Sequence, residues 1–304
     1  MKPRIVISGG SGLIGSALIA ALDERGYEIT QLVRRPPAAG QVQWNPGAAP
    51  LEPQVLEGAG AVIALGGASV GRLPWTKNYR HKLLDSRIAP THTLVAALRE
   101  IGPGAPRLIS ASAVGYYGSA PGQELTERST AGTTFLAQLC VAWEAAAREA
   151  ESVTEVSVLR TAPVIHRDGV LKPMMLLTKL GLAGPLGGGK QFLPWISLAD
   201  EVAAIIHVLE NQIFGPVNLA GPQLATANEL GRALAEQMRR PFWLPTPKWL
   251  LNLVLSRAAT ESLLTADARV VPEVLKASGF TFQHPTVGAA VAAALLHRDE
   301  QYRD

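Results

Sequence analysis

The run Gly9-Gly10-Ser11-Gly12-Leu13-Ile14-Gly15 places glycines at i, i+3 and i+6, directly after an apolar run and before a helical one. That pattern serves a phosphate. One glycine permits a tight turn, a second lets the backbone approach a pyrophosphate closely, and the third lets the helix pack hard on the strand. The helix N-terminus then offers free N–H groups and a positive dipole end to the negative charge. Leu32-Val33-Arg34-Arg35 closes the next predicted strand with two guanidinium groups and no acid. An Asp or Glu at that point would bond a ribose 2′-hydroxyl. Arg34 and Arg35 suit a 2′-phosphate instead, through charge-assisted bidentate bonds, so the expected cofactor is NADP(H) rather than NAD(H).

The elements that must position these groups alternate between strand and helix, which predicts an α/β, Rossmann-like doubly wound parallel sheet. Strands are expected at 4–8, 28–33, 42–44, 61–65, 107–110, 156–159 and 216–219. Ala61-Val62-Ile63-Ala64-Leu65 is continuously apolar, as in a sheet covered on both faces. Helices are expected over the run from Leu13 to Leu22, over Thr76–Arg99, over Thr133–Ala150 and over Leu198–Leu209. Pro90 must kink or split the second, and Phe135, Leu136, Leu139, Cys140 and Trp143 form one stripe on the third. Gly181–Gly189 holds five glycines and a proline and reads as a loop. The division is a nucleotide-binding domain over 1–165, its sheet completed by about 196–220. A smaller α/β lobe on the substrate side takes 166–195 and 221–304. Phe242, Trp243 and Trp249 are expected in that lobe's own core.

Composition narrows the class. Of 304 residues, 47% are hydrophobic and 17% charged, which rules out a disordered chain. Lys plus Arg is 28 against 25 Asp plus Glu, and there is no dense basic block, so no nucleic-acid partner is expected. One cysteine, Cys140, excludes an internal disulfide and any multi-cysteine metal site, and no metal is expected. A reducing, cytoplasmic setting fits. No apolar run reaches the roughly 18 residues of a membrane span. The N-terminus imitates a signal peptide, but Ser8-Gly9-Gly10-Ser11-Gly12 breaks its apolar stretch, and it is read as mature protein.

The glycine spacing resembles that of the extended short-chain dehydrogenase/reductases, relatives of the sugar-nucleotide epimerases. Ser110-Ala111-Ser112-Ala113-Val114-Gly115-Tyr116-Tyr117-Gly118 is similar to the family's serine motif ending in Tyr-Gly. The stretch from Gly187 through Gln191, Trp195 and Asp200 resembles its Gly-x-Gly…Gln…Trp-Ile…Asp segment. Trp75-Thr76, Ser86-Arg87, Trp143-Glu144 and the C-terminal Arg269–Pro285 stretch resemble an epimerase-like subgroup that ends in a small domain of unknown function. The resemblance covers essentially the whole chain. It implies coenzyme contacts from Leu65, Gly66, Gly67, Ser110 and Ala111, and backbone contacts near the nicotinamide amide from Ala162, Pro163 and Val164. It places Trp75, Gln191 and Trp195 near a cleft where a base or sugar could stack. The implied substrate is a small molecule, a nucleotide-linked sugar or another carbonyl compound, and the implied assembly is a homodimer through the long helices after strands four and five.

The chain departs from the family in its acid/base pair. Short-chain reductases use a Tyr and a Lys four residues later on one helix face, the Lys⁺ lowering the phenol's pKa. No Lys here has Tyr four positions earlier, and Phe135 and Leu139 stand where the resemblance puts the pair. An acidic group after strand four is also missing, since the chain reads Ala64-Leu65-Gly66-Gly67-Ala68, and Thr134 stands where an acid is common. Three readings stay open. Ser112 with Tyr117, or its neighbour Tyr116, protonates a carbonyl oxygen after hydride delivery. His81 or His166 does so. Or the protein binds NADPH as a sensor or interaction module and catalyses nothing. Arg87 either holds a phosphate or braces the fold.

Overall fold

The computed structural model describes residues 3–185, 188–246, 259–264 and 266–296. Seven parallel strands form the central sheet: β1 (Ile5–Ser8), β2 (Ile29–Val33), β3 (Gln41–Gln43), β4 (Ala61–Ala64), β5 (Arg107–Ala113), β7 (Val156–Thr161) and β10 (Gly215–Leu219). Their order is β10-β7-β5-β4-β1-β2-β3, with chain reversal between β1 and β4. β1 and β4 are buried at every residue, which is why their sequences are unbroken apolar runs. Parallel pairing needs crossover helices, and these cover both faces. Helices α1 (Leu13–Glu24) and α5 (Leu198–Glu210) pack through Leu18, Leu22, Ile205 and Leu209 on one face. Helices α2 (Lys77–Ile101) and α3 (Phe135–Arg148) pack through Leu94, Leu98 and Ala147 on the other.

Two-stranded parallel pairs link sheet and lobe: β6 (Glu124–Leu125) with β11 (Arg269–Val270), and β8 (Val164–Ile165) with β9 (Ile196–Ser197). The lobe's core joins Met175 of α4 (Leu171–Lys179), Leu230 and Leu234 of α6 (Ala227–Gln237) and Val291 of α8 (Val287–Leu296) around Trp195. The short α7 (Glu273–Ala277) lies against β10. Asp200, in the first turn of α5, fastens this lobe down. Its carboxylate accepts the N–H groups of Gln283 at 2.6 Å and His284 at 3.1 Å.

Three details differ from the sequence expectation. Helix α2 continues as one element and is not split at Pro90: Thr91 Oγ1 donates back to the Arg87 carbonyl and receives the Trp143 indole N–H at 3.1 Å. Trp243 lies on the surface of the lobe instead of its core. Phe242 is half-buried against Gly231, and Trp249 lies outside the described residues, as does Gly187. The stripe on α3 is buried inside the chain against Leu83 and Trp75, so it offers no free face for a second copy.

Candidate active site

The turn after β1 is built as its glycines require. Gly9 has φ +82°, and a Cβ there would lie 2.8 Å from the Gly66 nitrogen in the loop after β4. A Cβ on Gly15 would strike the Gly9 carbonyl, so the first turn of α1 rests directly on the bend. Gly12 differs: its nearest neighbour to a Cβ is the Gly9 oxygen at 3.4 Å, and Ser11 and Gly12 are exposed. The N-cap of α1 is Gly12 itself, with no side-chain cap, whereas Thr76, Thr134, Ser197 and Thr226 each cap α2, α3, α5 and α6. Gly9–Gly15 is therefore an open cradle at a helix N-terminus, the arrangement that accepts a diphosphate.

Around it, Arg34 and Arg35 follow β2 on the surface, and neither is engaged by an acid among the described residues. Leu65, Gly66 and Gly67 follow β4, and Ala162, Pro163 and Val164 follow β7. Ser110 and Ala111 lie within β5, Ser110 level with Ala64 at the end of β4. The two loops lie just past the C-terminal ends of central strands, on the edge where open α/β sheets bind ligands. Ala162 is pinned there by its N–H to the Leu219 carbonyl at 2.8 Å. The donor set suits a phosphorylated dinucleotide: backbone N–H groups for the diphosphate, cations for a further phosphate, and no carboxylate at the end of β2. Arg87 braces the fold. It donates to the Leu83 and Ala68 carbonyls, and burial pushes its pKa down.

Ser112 and Tyr117 belong to one buried polar network. Ser112 Oγ donates to Glu144 Oε1 at 2.7 Å, and Arg160 clamps the same carboxylate with Nε and Nη2, each at 2.9 Å. Arg160 Nη1 donates to the Tyr117 hydroxyl at 2.9 Å and to the Glu127 carbonyl at 3.1 Å. Tyr117 in turn donates to Asn218 Oδ1 at 2.6 Å. Burial pushes the Tyr117 phenol up to about 12, with Arg160 offsetting part of the rise. The Arg160 pKa is raised as well: although burial opposes its charge, the Glu144 bonds hold it above the ordinary arginine value. The network reaches the lobe through Asn218 Nδ2, which donates to the Val271 carbonyl at 3.0 Å, and through Glu127 Oε1, which accepts the N–H groups of Asn218 and Val274.

Tyr116 stands over this network. The Arg160 guanidinium carbon lies 3.6 Å from its ring centroid, and its edge meets Tyr117. Its hydroxyl has no hydrogen-bond partner among the described residues, and the side chain is only half-buried.

Two further groups were not among the expected site residues. Glu201, in the first turn of α5, is fully buried and accepts the Thr161 hydroxyl at 2.8 Å, while its second oxygen has no partner among the described residues. Desolvation pushes its carboxyl up to about 8. Glu144 is the other. Its signal was present, since it is the one charged residue in the apolar run Phe135–Ala147, and a lone charge there calls for a buried partner.

The remaining candidates are not gathered at one point. Trp75 is buried edge-on to Phe135 and donates its indole N–H to the Val70 carbonyl at 2.9 Å. Trp195 is buried in the lobe core and donates to the Gln223 carbonyl at 3.0 Å. Gln191 is half-buried, and its carbonyl receives the Ala227 N–H at the start of α6. His81 is exposed on α2, and His166 accepts the Asp168 N–H within its own turn. No helix among the described residues is long and apolar enough to cross a membrane.

A model of the NAD dependent epimerase/dehydratase family matches residues 5–220, and a domain of unknown function (DUF1731) matches residues 246–294. The Mycobacterium bovis epimerase family protein Mb2239 is 40% identical over 294 residues, covering 95% of this chain and 97% of that protein. A crystal structure of human epimerase family protein SDR39U1 (isoform 2) with NADPH superposes with a TM-score of 0.86 at 30% identity. It covers 96% of this chain and 98% of that one. MoeE5 in complex with UDP-glucose and NAD shares the fold, with a TM-score of 0.74 at 20% identity and coverage of 97% and 98%.

Proposed function

The chain belongs to the NAD dependent epimerase/dehydratase family, and from that premise we propose that it is an atypical, NADP(H)-dependent oxidoreductase or epimerase-like enzyme of the cytoplasm. Its substrate is a nucleotide-linked sugar or another small carbonyl compound. The observation that carries the reading is the bend at Gly9–Gly15 beside Arg34 and Arg35, with no acid at the end of β2. The likeness to a human relative crystallised with NADPH supports the phosphorylated coenzyme.

In this reading Gly9–Gly15 hold the diphosphate, Arg34 and Arg35 the 2′-phosphate, and Leu65–Gly67, Ser110, Ala111 and Ala162–Val164 line the path of the coenzyme. The bound coenzyme supplies a hydride donor or acceptor. The chain's part is to orient the substrate and to place a proton. That proton comes from the corner of Ser112 and Tyr117, with Tyr116 as the phenol there whose hydroxyl is uncommitted. Trp75, Gln191 and Trp195 shape the substrate side from behind, through the loops that they anchor. A homodimer would pair outer faces of α2 and α3, because the stripe with Trp143 is occupied within the chain.

A second reading, a non-catalytic NADPH sensor or interaction module, is favoured by one observation: the hydroxyls of Ser112 and Tyr117 are both bonded inside a buried network. Coenzyme turnover separates the two. An NADPH-oxidation screen over carbonyl compounds and nucleotide sugars should give turnover that falls at least about tenfold in Tyr116→Phe, as expected for loss of a general acid. Tight NADPH binding with no turnover across the screen supports the sensor instead.

A further inference from the structure

We propose that the face formed by α4 and the segment Arg239–Thr246 docks on an anionic membrane surface. Six large apolar side chains share this face. Leu180 is 63% exposed, Trp243 64% and Leu176 60%, with Leu177, Leu182 and Leu244 beside them. Backbone bonds make the group contiguous. Leu180 N–H donates to the Leu176 carbonyl and Leu182 N–H to the Leu177 carbonyl. The N–H groups of Trp243 and Leu244 both donate to the Ala183 carbonyl. Trp243 Nε1 donates to the Gly181 carbonyl at 3.1 Å, which fixes the indole with its ring in solvent. Apolar clusters of this kind on a soluble domain mark a contact surface.

Charge identifies the occupant. The chain as a whole nearly balances 28 basic against 25 acidic residues, yet residues 170–199 and 237–260 contain no Asp or Glu. Among the described residues these stretches carry Lys172, Lys179, Lys190, Arg239 and Arg240, all exposed. Lys172 faces Asp168 at 3.8 Å, and the other four form no ion pair among the described residues. The nearest acids on the neighbouring α6 are Glu229, held in its capping box with Thr226, and Glu236. A leucine-rich face with an exposed indole, rimmed by unpaired cations, matches an interface that is apolar in depth and negative at its surface. A second copy fits poorly. Two-fold pairing of this face would bring its basic rim against an identical basic rim with no acid from these stretches to offset it. With only nine residues, α4 lies on the surface and does not span.

The test is flotation of the full-length protein with phosphatidylcholine vesicles, with and without phosphatidylglycerol. Binding is expected to the anionic vesicles and to be at least about tenfold weaker to the neutral ones. It should be released by salt, as the Debye length falls from ~10 Å at 0.1 M to ~3 Å at 1 M. Leu180→Ser with Trp243→Ser, and separately Arg239→Ser with Arg240→Ser, should each lower recovery about tenfold while circular dichroism stays unchanged. No flotation with anionic vesicles overturns the proposal, as does recovery insensitive to both double variants. A dimer that dissociates in the Leu180/Trp243 variant without any vesicle binding assigns the face to a second copy and equally overturns it.

Discussion

Arg160 Nη1 donates to the Tyr117 hydroxyl at 2.9 Å, and the same guanidinium grips Glu144 through two further nitrogens. One arginine at the C-terminal end of β7 therefore ties the strand bearing Ser112 to α3, to the turn bearing Tyr117 and, through Asn218, to the lobe. The pair is buried on both sides, at 3% and 5% exposure, so removing one partner strands a charge in the core. Arg160→Met should destabilise the fold by about 3–5 kcal/mol, and Arg160→Met with Glu144→Leu by clearly less than the sum of the two single changes. Tyr117→Phe should cost about 1–3 kcal/mol, because Asn218 Oδ1 and Arg160 lose a bond. Urea unfolding of the four variants measures this. Strict additivity would show that the side chains do not act as a unit.

Much of this was legible in the sequence, for physical reasons. The seven central strands could be read because buried parallel strands are apolar runs punctuated by glycine and helix. The coenzyme bend could be read because its chemistry demands glycines at fixed spacing. The network could not, because Glu144, Arg160, Tyr117 and Asn218 lie up to 101 positions apart and only the β5-β7-β10 order brings them together. Trp243 misled for the opposite reason: an apolar residue in a Pro-rich stretch predicts a core, whereas the structure turns it outward. Pro90 does not split α2, where the next residue, Thr91, is bound to the Trp143 indole.

The glycines of the bend should separate by role. Gly15→Ala places a methyl against the Gly9 carbonyl and should lower the melting temperature of the coenzyme-free protein. Gly12→Ala has room in that state and should leave its melting temperature nearly unchanged, while weakening NADPH binding by at least about tenfold, since the methyl occupies the backbone's approach to the diphosphate. Thermal melts with and without coenzyme read both effects.

Glu201 should make stability depend on pH. Its carboxyl titrates at about 8 in the folded chain, against 4.5 ordinarily, so the unfolded chain gives up the proton first as pH rises. The stability that the protonated form supplies is whole below about pH 4.5 and is lost progressively up to about pH 8. Glu201→Gln cannot ionise. The melting temperature of the variant relative to the parent should climb from pH 5 to pH 8, and a difference independent of pH would refute the assignment.

Calorimetric titration of NADPH and of NADH into the coenzyme-free protein goes to the centre of the account. The bend and the arginine pair predict that NADPH binds at least about tenfold more tightly, as expected for charge-assisted bonds to one added phosphate. That preference should disappear in Arg34→Ala with Arg35→Ala, while NADH affinity is unchanged. Heat from neither coenzyme, or tighter binding of NADH, would contradict it.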